Sequence, residues 1–78
     1  MIFLIQYNRK GGRLVRFERF SDSDRKTAYD AKFDLELRLN RQDNRDEVVI
    51  LEAADEAAVR RTHRRYFETL EQLLAQPV

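Results

Sequence analysis

Ile2 to Tyr7 is apolar on both sides of a period-two pattern, with Ile2 and Leu4 on one face and Phe3, Ile5 and Tyr7 on the other, which predicts an interior strand. Arg13 to Phe20 alternates, setting Val15 and Phe17 against Arg16 and Glu18. Between them, Gly11-Gly12 can take positive φ at a tight connection, so the two segments predict a β-hairpin. The same glycines lack a following Lys-Ser/Thr and open no helix, which sets them apart from a phosphate-cradling loop.

Ser21-Asp22-Ser23-Asp24 supplies N-cap candidates and negative charge at the start of a helix, after which Ala28, Ala31, Leu35 and Leu39 share one face. A helix from about Asp22 to Asn40 is expected. Phe33, Leu35, Leu37 and Leu39 also alternate with Asp34, Glu36, Arg38 and Asn40, the period of a half-buried strand over 32–40. The abundance of Leu, Glu, Arg, Lys and Ala, with no β-branched residue from Ala28 to Arg45, decides for helix. Val48-Val49-Ile50-Leu51 then reads as a strand covered on both faces, after a polar loop over Gln42 to Asp46. Asp55 caps a last helix reaching to Gln76, whose buried stripe would hold Val59, His63, Tyr66, Phe67, Leu70, Leu73 and Leu74.

The order β-β-α-β-α in 1–78 predicts a single α+β domain. The expected architecture is a two-layer sandwich, a three-stranded mixed sheet of order 2-1-3 with two helices on one face and the third strand parallel to the second. With 78 residues there is room for one core, near the size at which reinforcement is commonly needed. The absence of cysteine removes disulfides and thiolate chemistry, and a lone histidine makes a zinc site improbable, so neither metal nor cofactor is expected. The apolar runs are too short to span a membrane and the N-terminus does not resemble a secretory signal; a cytoplasmic protein is expected. Fifteen basic against fourteen acidic residues create no global field toward nucleic acid.

Two helices on one face would leave the other sheet face bare, with Phe3, Ile5 and Tyr7 the candidate residues of an apolar interface. Tyr29, Phe33 and Leu37 form a second apolar stripe, at i, i+4 and i+8 of the first helix and away from its inward face. Arg60, Arg61, Arg64 and Arg65 fall opposite the last helix's apolar stripe and could converge on an anion or nucleic acid, although a solvated, internally paired face explains them more simply. Thr62, His63 and Tyr66 mark a candidate pocket, with a structural histidine the simpler reading. The favoured function is therefore a small non-enzymatic interaction protein, a homodimer or the binder of a protein partner. Nucleic-acid or anionic-ligand binding through the arginines comes second, and an enzyme using His63 third.

Overall fold

A computed structural model describes residues 1–68. Strands β1 (Ile2–Asn8), β2 (Arg13–Phe20) and β3 (Glu47–Glu52) form one sheet of order β2-β1-β3, with helix α1 (Arg25–Arg41) between β2 and β3 and helix α2 (Glu56–Thr62) after β3. The fold is α+β with the expected element order. β1 is antiparallel to both neighbours, so β2 and β3 run in the same direction, but no parallel pair adjoins and the sheet is antiparallel rather than mixed. The hairpin turn closes where Gly12 takes φ +60° and the Gly11 amide donates to Asn8 Oδ1 at 2.6 Å. The register shifts between Gln6 and Tyr7, leaving Val15 as an extra, exposed residue on β2.

The alternating reading of residues 32–40 gives way to helix: a short 3₁₀ turn at Asp22–Asp24 leads into seventeen helical residues. Ala28, Leu35 and Leu39 are buried on its inner side. That side meets the face of the sheet carrying Ile2, Leu4 and Gln6. Leu39 and Glu36 line one open cleft with Val48, the partner of Gln6, while the buried Gln6 amide donates to Asp46 Oδ2 at 2.7 Å.

The second helix is where the expected architecture fails. A helix continuous through His63 is not observed: α2 stops at Thr62, His63 turns away with φ −124° and ψ 51°, and a single 3₁₀ turn, Arg64–Tyr66, follows. Leu70, Leu73, Leu74 and Gln76 lie outside the described residues. This segment packs on the opposite face of the sheet from α1. Tyr7 meets Tyr66 edge-on with ring centroids 5.3 Å apart, and Phe3 stacks on Phe17, which meets Phe67 edge-on at 5.3 Å. Phe3 and Tyr7 project from β1 opposite to Leu4 and Gln6, so the helical segments lie on two faces and not on one. The physical reason is in β1 itself: a central strand apolar on both sides needs cover on both sides. Ile2, Phe3, Leu4 and Ile5 are accordingly at most 1% exposed.

Candidate functional site

The densest polar arrangement gathers around Glu47, at the start of β3. Its Oε2 accepts from the Tyr66 hydroxyl at 2.5 Å and from an Arg65 guanidinium nitrogen at 2.7 Å, and its Oε1 accepts from Arg9 Nε at 3.2 Å. Arg65 also donates to the Tyr66 hydroxyl oxygen at 2.5 Å, and its guanidinium lies 4.1 Å from the centroid of the Tyr66 ring and 5.8 Å from that of Tyr7. Burial alone would raise the Glu47 carboxyl, but hydrogen bonds from Tyr66, Arg65 and Arg9 outweigh it and hold the group below its ordinary value. Burial first, and the bond to this carboxylate second, push the Tyr66 phenol up to about 12. Arg65 is raised in turn, chiefly by its hydrogen bond to Glu47. A phenol so held stays protonated and acts as a donor, and the carboxylate it serves stays charged. The cluster pins β3 to the 3₁₀ turn.

The candidate pocket residues do not assemble into one acid–base group. Thr62 Oγ1 donates to the Ala58 carbonyl within its own helix at 2.9 Å, and Tyr66 gives its proton to Glu47. The half-buried His63 ring lies 6.5 Å from the Tyr66 ring centroid, tilted by 37°.

Nor do the four arginines present a common outward face. Arg60 is held by Glu56 through Nε and a terminal nitrogen at 3.1 and 2.9 Å, with its guanidinium 4.6 Å from the Phe67 ring centroid. Arg64 reaches Glu68 at 3.3 Å and Arg65 is committed to Glu47. Among the described residues, Arg61 alone of the four has no carboxylate partner. The break at His63 separates the two Arg-Arg pairs, and Arg60 and Arg65, while still exposed, lie across aromatic rings of the second sheet face.

Of the candidate interface residues, Phe3 and Ile5 are fully buried and Tyr7 is half-buried, all within the chain's own core. An exposed apolar sheet face built on them does not exist, because the segment after β3 covers it. The stripe on α1 is different: Phe33 is 62% exposed, Tyr29 49% and Leu37 41%. Glu47 was missed at the level of sequence. Its only signal was a charge bounding the β-branched run, and Tyr66 lies 19 residues away. A cleft of about 610 Å³ between the β1–β2 turn and the loop before β3 was equally unmarked; Arg9, Lys10 and Arg45 line it together with Asp43 and Asp46, so it carries both signs of charge. No helix among the described residues is long and apolar enough to cross a membrane, and no group of metal-ligating side chains is found among them.

No protein-family model, curated protein or solved structure matches this chain.

Proposed function

We propose that this chain is a small non-enzymatic interaction module that self-associates or holds a protein partner, with the α1 stripe of Tyr29, Phe33 and Leu37 as its apolar contact surface. The exposure of these three side chains on the side of α1 turned away from the sheet is the observation that carries the reading. Each could have been a polar residue at no cost to the core, and three large apolar groups at i, i+4 and i+8 are the spacing by which a helix lays itself into a groove. The arginines support this reading over nucleic-acid binding, since Arg60 and Arg65 are spent on carboxylates and rings of their own chain.

The test is molecular mass in solution against protein concentration, repeated across a salt series and with added oligonucleotide. Association that grows with concentration and survives high salt is expected of apolar contact. A monomer at high micromolar concentration would remove self-association, and a complex with oligonucleotide that dissolves steeply with salt would favour the arginines instead.

A further inference from the structure

We infer that two copies of this chain join edge to edge through β3, antiparallel about a two-fold axis at Ile50, to make a continuous six-stranded sheet. The inference rests on the self-association part of the reading above and places the contact between copies at β3 rather than on the α1 stripe.

The two edges of the sheet differ in how they are guarded. β2 carries Arg13, Arg16, Glu18 and Arg19 along its length and bulges at Val15, features that discourage pairing with another strand. β3 carries Val48-Val49-Ile50-Leu51 without proline, lysine or bulge, and its only hydrogen-bonded neighbour among the described residues is β1. Its charges stand at the ends and are already answered: Glu47 by Tyr66, Arg65 and Arg9, and Glu52 by Arg25. All four aliphatic residues remain half-buried.

The backbone sets the register. The Ala53 amide donates to the Met1 carbonyl at 3.1 Å, so alternation along the antiparallel pair turns the amides and carbonyls of the odd-numbered β3 residues toward β1. Those of Val48, Ile50 and Glu52 point outward. An antiparallel copy joined through these groups places Ile50 opposite Ile50 of the second copy, Val48 opposite its Glu52, and Val49 opposite its Leu51. No two carboxylates face each other, and Val49 and Leu51 of both copies come together into one apolar cluster on the face away from α1.

The helices fit the same arrangement. α1 lies nearest β3 and β1, and a two-fold axis perpendicular to the sheet keeps both copies of α1 on one face. With strands about 4.8 Å apart, helices seated between β3 and β1 of each copy are separated by about 10 Å, the distance at which helices pack. The flank of α1 turned toward the β3 edge carries Arg25, which binds Glu52, and Glu36, which accepts from Lys32 of its own helix at 3.1 Å and shares an open cleft with Val48. The pairing of Val48 with Glu52 of the second copy brings the second copy's Arg25 to Glu36. Tyr29 stands on that same flank, one turn after Arg25, and is taken into the seam between the helices, while Phe33 and Leu37 of both copies stand side by side on the outer surface.

The test combines mass in solution with residue-resolved amide exchange. Wild-type protein is expected to dimerise, with the Val48 and Ile50 amides gaining protection as concentration rises while those of Val49 and Leu51 stay protected throughout. Val49→Lys, which sets an ammonium against Leu51 of the second copy, and Ile50→Pro, which removes an outward amide, are each expected to weaken the dimer about tenfold or more with an unchanged far-ultraviolet spectrum. Phe33→Ser is expected to leave it intact. A dimer in which Val48 and Ile50 exchange fast, or one dissolved by Phe33→Ser and not by Val49→Lys, would overturn the β3 contact while leaving the stripe reading in place. A wild-type monomer at every concentration would overturn both. Should either variant misfold, the concentration dependence of wild-type exchange decides alone.

Discussion

Ile2-Phe3-Leu4-Ile5 and Val48-Val49-Ile50-Leu51 are runs of four apolar residues on neighbouring strands, yet every member of the first is fully shielded and every member of the second is half-buried. The two runs differ in place and not in polarity. β1 has a strand on each side and packed elements above and below; β3 has β1 on one side and, among the described residues, no strand on the other. Period-two apolarity reports how many faces of a strand can be covered and is silent on how many of its edges are. In this small domain the edge is the larger liability, because the aromatic rings after β3 close the second face of β1 while the outer backbone of β3 has no strand partner among the described residues.

The largest effect expected from that contrast is on folding. Phe3→Ala removes a fully buried ring stacked on Phe17 and is expected to cost about 3–5 kcal/mol, enough to unfold much of so small a domain. Val49→Ala, on the half-buried strand, should cost about 1 kcal/mol or less at concentrations where the chain is monomeric. Urea unfolding of the two variants checks the difference, and equal costs would erase the distinction between the strands.

The Glu47 cluster comes next, because it is what ties β3 to the segment covering β1. Tyr66→Phe keeps the ring against Tyr7 and deletes the hydrogen bond to a carboxylate, for an expected cost of about 1–3 kcal/mol. Its pH signature has two arms. The Glu47 carboxyl lies lower in the folded chain than in the unfolded one, so its contribution is present above the ordinary carboxylate range and is lost as pH falls through the folded value. The Tyr66 phenol lies higher, at about 12, so its contribution is complete below the ordinary phenol value of 10.0 and is lost as pH rises toward 12. Thermal midpoints across both ranges should show these losses in the wild type and a weaker alkaline loss in Tyr66→Phe.

A smaller difference is expected among the arginines. Arg65→Ala abandons Glu47 and two rings and should destabilise measurably, whereas Arg61→Ala should change stability by no more than about 0.5 kcal/mol. Similar losses for both would mean that the basic residues act as a set, as an anion-binding surface requires. Smallest of all is Phe33→Ser, expected within about 0.5 kcal/mol of wild type in the monomer because the ring it removes lies mostly in water. A large loss there would place Phe33 in the core and withdraw the stripe as a contact surface.

The hairpin, α1, the strand order and, of the inward set Ala28, Ala31, Leu35 and Leu39, all but the half-buried Ala31 were legible because each is written in a local period or turn residue. The choice of helix over strand at 32–40 was legible from residue type even where the period was ambiguous. The layer assignment was not. Val59, His63, Tyr66 and Phe67 have the spacing of one helical face, and no residue within the segment announces a break at His63. Aromatic packing on β1 and the long-range bond from Tyr66 to Glu47 hold the 3₁₀ turn, and both depend on partners far along the chain. For the same reason the arginines read as an exposed face while two of them lie across rings supplied by the first hairpin and the chain's own following turn.

The placement of α1 and the α2 segment on opposite faces is tested most directly by nuclear Overhauser contacts between side chains. Contacts are expected from Tyr66 to Tyr7 and from Phe67 to Phe17, together with contacts from Leu39 to Val48 on the other side of the sheet. Contacts from Tyr66 or Phe67 to Leu4, Gln6 or Val48 would contradict it, since they would put both helical segments on one face and leave Phe3, Ile5 and Tyr7 uncovered.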